Sequence, residues 1–160
     1  MGRPGAGRQR LSWSFDPACH WQEYCFLDCR MYENELFMKK ILLAEDDKNL
    51  SRSIDILLTL EGFQVISVYN GEEALNKLLF QKYDLLITDI VMPNMNGVEL
   101  IQKIRAVNPT IPIMVISGQL NEELVNALRE LKVQHILAKP IRPTEFRRMI
   151  EEIFIQQATD

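Results

Sequence analysis

Asp84-Leu85-Leu86-Ile87-Thr88-Asp89-Ile90-Val91-Met92-Pro93-Asn94-Met95-Asn96-Gly97 reads as a buried strand that ends on an acid. The run from Leu85 to Thr88 has strand length, delivers Asp89, and breaks at once into Pro93, Asn94, Asn96 and Gly97. Those residues form turns, so the strand stops there. Asp89 therefore lies at or just past the carboxyl end of the strand. In an open α/β sheet that edge is where ligands and chemistry collect. A carboxylate so placed either caps a turn or reacts, and this stretch alone leaves both readings open.

Toward the N-terminus, Ile41-Leu42-Leu43-Ala44 is a continuous apolar run, as in a strand buried on both faces, and Glu45-Asp46-Asp47 ends it. Leu50, Ile54, Leu57, Leu58 and Leu60 follow at helical spacing until Gly62, which suits a C-terminal cap. Val65, Ile66 and Val68 make a second strand, Asn70-Gly71 a turn, and Ala74, Leu75, Leu78 and Leu79 a second helix.

Beyond the central stretch, Val98, Leu100, Ile101, Ile104 and Val107 predict a third helix stopped at Asn108-Pro109. Residues 111–116 predict a fourth strand ending at Ser117-Gly118. Asn121 is the expected N-cap of a fourth helix, with Glu122 and Glu123 favourably placed in its first turn. Residues 133–138 predict a fifth strand, broken by Lys139-Pro140. Pro143 opens a last helix with Phe146, Met149, Ile150, Ile153 and Phe154 on one face. Strands alternating with helices imply an α/β fold, a parallel sheet covered on both sides, and right-handed crossovers favour a doubly wound form.

At 160 residues the chain can bury one sizeable core, and a net charge of −4 gives no electrostatic basis for binding nucleic acid or an anionic membrane directly. No apolar run approaches the roughly 18 residues of a spanning helix, and no secretory signal opens the chain, so a cytoplasmic location is expected. Residues 1–37 read as an irregular extension, either packed on the domain, or disordered or a by-product of an early start site, and residues 38–157 as the domain itself. Cys19, Cys25 and Cys29 fall in that extension beside His20, at a spacing that lacks the paired Cys-x2-Cys of most zinc sites.

In such a sheet the strand ends bring Asp46, Asp47, Asp89, Ser117 and Lys139 to one edge. Taken singly, each has a plain structural role as a cap, turn residue or solvated side chain. Together they form a complementary set. Acids this close cannot all stay ionised without a partner, and Mg²⁺ suits a site of carboxylates, waters and a phosphate oxygen. An aspartate carboxylate can then attack a phosphoryl group to give an acyl phosphate, with the cation and Lys139 neutralising charge and Ser117 donating a hydrogen bond.

Ala44-Glu45-Asp46-Asp47, Thr88-Asp89-Ile90-Val91-Met92-Pro93 with Gly97, Val115-Ile116-Ser117-Gly118 and Ala138-Lys139-Pro140 together resemble the receiver domain of two-component response regulators. The resemblance runs from about Met38 to Gln156. It implies a flavodoxin-like five-stranded sheet in the order 2-1-3-4-5. It implies Asp89 as phosphoacceptor, fed by a histidine kinase or histidine phosphotransfer protein. Asp46 and Asp47 match the Mg²⁺-binding acidic pair, with the Val91 backbone carbonyl as a further ligand, and Ser117 and Lys139 match the groups that hold the phosphoryl. It further implies a switch that presents the fourth helix, fifth strand and fifth helix to a downstream protein. At the switch position, where the family often carries an aromatic, this chain has Ile136, and His135 points to the other face.

Other classes fit less well. A phosphorylation-independent pseudo-receiver would not need the intact acid, hydroxyl and lysine set. A phosphohydrolase commonly carries a second aspartate where Val91 stands, and a dinucleotide-binding domain would show a glycine-rich loop in place of Glu45-Asp46-Asp47. The expected chemistry is magnesium-dependent self-phosphorylation and self-dephosphorylation, with no separate substrate turned over.

Overall fold

The computed structural model describes residues 38–159, so the readings made for residues 1–37, including the three cysteines and His20, lie outside the described residues. Five parallel strands form one sheet in the order β2-β1-β3-β4-β5. They are β1 (Lys40–Ala44), β2 (Gln64–Val68), β3 (Leu85–Asp89), β4 (Ile113–Ser117) and β5 (His135–Ala138). The helices are α1 (Lys48–Leu60), α2 (Gly71–Phe80), α3 (Gly97–Val107), α4 (Glu122–Glu130) and α5 (Pro143–Thr159). The doubly wound α/β sheet expected from the sequence is the one observed, and α5 runs two residues past the expected domain end at 157.

Strand alternation divides the core between the two faces of the sheet. Leu42, Ala44, Leu86 and Val115 point to one face and pack with Ala74 of α2, Leu100, Ile101 and Ile104 of α3, and Leu128 of α4. Ile41, Leu43, Leu85, Ile87, Met114 and Ile116 point to the other, under Ile54 and Leu58 of α1 and Phe146, Ile150 and Ile153 of α5. Burying each such aliphatic side chain contributes about 2 kcal/mol against the unfolded chain. β1, β3 and β4 carry this load from both sides, which is why they read as unbroken apolar runs.

Local chemistry sets the ends. Asp47, Asn70, Asn96 and Asn121 each cap a helix by accepting from backbone N–H groups of its first turn. Asn70-Gly71, expected to form a turn, is the cap and first residue of α2. Gly71 sits against the Met95 carbonyl, where a Cβ would collide. Gly62 follows α1 at φ 89°, the left-handed conformation that glycine adopts without cost. The fifth strand starts two residues later than expected because Val133, although buried, donates its N–H to the Leu128 carbonyl at 2.9 Å and closes α4.

From β1 the chain steps to β2 on one side, and from β3 onward it steps the other way. The connections diverge between β1 and β3, opening a crevice at the carboxyl edge of the sheet.

Candidate functional site

Three short segments furnish this crevice: the one after β1, the end of β3, and the one after β5. Glu45 continues β1 by donating its N–H to the Val68 carbonyl at 3.1 Å. Its side chain is 1% exposed. Asp46, next along, is exposed. The carboxylates of Glu45, Asp46 and Asp89 place oxygens within 4.8 Å of one another.

Asp47 does not join them, contrary to the pairing with Asp46 expected from the sequence. Its Oδ1 accepts from the N–H groups of Asn49 at 2.9 Å and Leu50 at 3.3 Å, because the chain has already turned into α1. The acidic partner of Asp46 is Glu45. Its signal was its place directly after the buried Ala44, which keeps it on the sheet edge, while Asp47 lies one peptide nearer the helix.

Asp89 is 6% exposed and fully engaged. Its Oδ1 accepts from the N–H of Ile90 at 2.5 Å and of Val91 at 3.3 Å. Its Oδ2 accepts from Lys139 Nζ at 2.6 Å, and the same ammonium donates to Glu45 at 2.9 Å. Lys139 reaches across from the segment after β5, where its own N–H donates to the Ser117 carbonyl at 2.9 Å and a cis peptide joins it to Pro140.

Burial is the largest influence on both charged partners. It pushes the Glu45 carboxyl above its ordinary range, with the Asp89 charge adding to the rise and Lys139 only partly offsetting it. It pulls the Lys139 ammonium down, but the hydrogen bonds and charges of Asp89 and Glu45 outweigh burial and hold it above its ordinary value. Lys139 is thus firmly cationic. Three carboxyls facing one ammonium leave room for a divalent cation, and oxygens from Glu45, Asp46 and Asp89 are the donors such an ion takes.

Ser117 is fully buried at the end of β4, with its hydroxyl accepting from the Gln119 N–H at 3.2 Å. It lies on the strand next to Asp89 but shares no hydrogen bond with it in this structure. The Val91 side chain is exposed, and its N–H serves Asp89. Ile136 is half-buried and packs on the face covered by α2, α3 and α4. His135 lies on the other side, where burial lowers its pKa and the charge of Glu152 on α5 partly restores it.

Open α/β domains with an acidic crevice and an inward lysine at the carboxyl edge make up the receiver class of signalling proteins. A family model described as the response regulator receiver domain matches residues 41–151, and the chain belongs to that family. A transcriptional regulatory protein, a CpxR homolog of Haemophilus influenzae, is 37% identical over 123 residues, covering 76% of this chain and 53% of the relative. The response regulator ArlR of Staphylococcus aureus is 40% identical over 82 residues, covering 51% of this chain and 37% of the relative. The chain therefore spans about half the length, or less, of these curated relatives.

Among solved structures, the N-terminal domain of a protein from Wolinella succinogenes superposes with a TM-score of 0.70 at 29% identity, over 76% of this chain and 99% of that one. A CheY-like receiver from Methanospirillum hungatei gives a TM-score of 0.72 at 24% identity over 77% of this chain and 99% of that one, a likeness of fold. Residues 41–151 are thus a receiver domain of the two-component response regulators, which receive phosphate from histidine kinases and generally bind Mg²⁺ in an acidic pocket. Among the described residues, no helix is long and apolar enough to cross a membrane.

Proposed function

We propose that Asp89 is the phosphoacceptor of this receiver. The observation that carries the reading is a nearly buried carboxylate held by a cationic lysine at 2.6 Å and flanked by two further acids. A carboxylate oxygen of Asp89 attacks the phosphorus of a phosphohistidine on a kinase or phosphotransfer protein. The new P–O bond forms as the P–N bond breaks, and the electron pair returns to the imidazole, which takes up a proton. With acetyl phosphate the bond broken is P–O and acetate leaves.

Glu45, Asp46 and Asp89, with the Val91 carbonyl, would hold Mg²⁺, which supplies positive charge against the phosphoryl oxygens. Lys139 supplies the same kind of charge from the protein side. The Ser117 hydroxyl, which accepts from the Gln119 N–H, has its own proton to donate to the phosphoryl group. Water attack at phosphorus then breaks the P–O bond to Asp89 and releases inorganic phosphate, so the chain dephosphorylates itself without turning over a separate substrate.

The downstream surface is that of α4, β5 and α5, where Val125, Arg129, Ile136 and Met149 line a shallow groove open to a protein partner. Residues 38–157 form the unit that carries this function.

Intact mass after incubation with Mg²⁺ and acetyl phosphate tests the reading, beside Asp89→Asn. A magnesium-dependent gain of one phosphoryl group, absent in the variant, is expected. An equal gain in Asp89→Asn would move the acceptor elsewhere.

A further inference from the structure

Thr88 is the one hydroxyl inside β3, and it is fully buried. Its neighbours in register are Ala44 on β1 and Val115 on β4, both part of the apolar core. Valine has the same shape and would fill this position without bringing a polar group into it. A buried hydroxyl is costly unless it is bonded. Here it donates to the backbone carbonyl of Asp89 at 2.8 Å.

That carbonyl belongs to the same planar peptide as the Ile90 N–H. In a trans peptide the two groups point in opposite directions, so fixing one aims the other. The Ile90 N–H is the donor that holds Asp89 Oδ1 at 2.5 Å. The peptide also rests on Gly97, where any Cβ would collide with the Asp89 carbonyl, and the Gly97 N–H donates to the Ile90 carbonyl at 2.9 Å. The peptide is held by both residues, and among the described residues Thr88 alone grips its oxygen through a side-chain hydrogen bond.

We infer that Thr88 is a positioning residue for phosphoryl transfer: its hydroxyl orients the 89–90 peptide, which fixes the rotation of the Asp89 carboxylate and leaves Oδ2 to Lys139. The inference rests on Asp89 being the phosphoacceptor. It assigns Thr88 no contact with the phosphoryl donor.

Two substitutions in the full chain separate this role from packing. Thr88→Val keeps the shape and removes the donor, whereas Thr88→Ser keeps the donor and removes a methyl group. The rate of phosphoryl gain from acetyl phosphate with Mg²⁺ is followed by intact mass, with thermal denaturation and the amide NMR signal of Ile90 measured alongside. Thr88→Val is expected to react about three- to tenfold more slowly, the range one hydrogen bond supports, with a displaced Ile90 amide. Thr88→Ser is expected to melt lower yet react at the wild-type rate with the Ile90 amide in place.

Thr88→Val reacting at the wild-type rate would overturn the inference and leave Asp89 as acceptor. Rates that fall in both variants in step with their melting temperatures would overturn it too, showing only a packing role. No phosphoryl gain in the wild-type chain would remove the acceptor reading and this inference together.

Discussion

Asp46 and Asp47 are neighbours with opposite duties, and substitution should separate them. Asp47 caps α1, so Asp47→Ala is expected to cost about 1 kcal/mol in denaturant unfolding and to leave phosphoryl uptake near the wild-type rate. Asp46→Ala, at an exposed carboxylate of the acidic cluster, should change stability little but raise the Mg²⁺ concentration needed for uptake by tenfold or more, about 1.4 kcal/mol of binding. The sequence shows three consecutive acids and no register, and only the fold decides which two face the crevice. That is why Asp89, Ser117 and Lys139 were legible as strand-end residues while Glu45 was not. Lys139 carries the other residue-scale prediction. Lys139→Met leaves Glu45 buried beside Asp89 without its cation, a loss of about 2 kcal/mol at neutral pH. The folded pKa of Glu45 is raised, so its favourable contribution is complete below the ordinary value of 4.5 and is lost as pH rises through the folded value. Removing Lys139 deepens that loss. Melting temperatures of the variant and the wild type should therefore converge as pH falls from 7 toward 4.5, and a gap that stayed constant would show that Glu45 is not the group left exposed to the penalty.

At the scale of elements, the loop from β3 to α3 is the piece that must fit most closely. Asn94 takes φ 66°, Asn96 caps α3, and Gly97 lies against the backbone of Asp89 and Ile90. The atoms a Cβ would strike at Gly97 are backbone atoms of the acceptor strand, which cannot swing aside like a side-chain tip. Gly97→Ala is thus expected to destabilise by about 3 kcal/mol and to slow phosphoryl uptake, because α3 can back away only by moving the 89–90 peptide. An alanine variant with wild-type stability and rate would mean that α3 docks more loosely than this contact requires. Strands and helices were readable here because their periods differ and their stops are strong residues: Gly62, Asn108-Pro109, Lys139-Pro140. What was not readable was where backbone groups go at the seams. Val133 looks like strand by composition, yet its N–H belongs to α4. Asn70-Gly71 looks like a turn, yet the asparagine side chain accepts from the Glu73 N–H and starts a helix. Both choices depend on tertiary placement, which local pattern does not encode.

Over the whole of the described domain, stability is unevenly spread, and the weaker side is the one proposed to signal. β1, β3 and β4 are covered on both faces, whereas β5 is a four-residue edge strand. α4, which packs beside it, contributes Leu128 as its one fully buried residue, against Leu100, Ile101 and Ile104 from α3. Elements with few buried contacts open at lower free energy than the core. One side chain counters this weakness. Arg105, on α3, donates from Nε to the Leu131 carbonyl at 2.9 Å and from Nη1 to the Ile111 carbonyl at 2.7 Å, with Nη2 near the Lys132 carbonyl. It thereby ties the end of α4 to the rigid half of the sheet through carbonyls that no helix or ladder bond uses at that point. Arg105→Ala should leave those carbonyls short of a donor and lower the local opening free energy by about 1–3 kcal/mol. Backbone hydrogen exchange would then accelerate about fivefold or more in α4 and β5, and much less in β1 and β3, whose exchange waits on global unfolding. The same change should make α4 and β5 respond more readily to phosphorylation, since the unphosphorylated arrangement would have lost a clamp that holds it. Equal acceleration in β1 and α4 would instead show that the domain opens as a single unit, and a switch confined to α4, β5 and α5 would then need a source of independence other than weak packing.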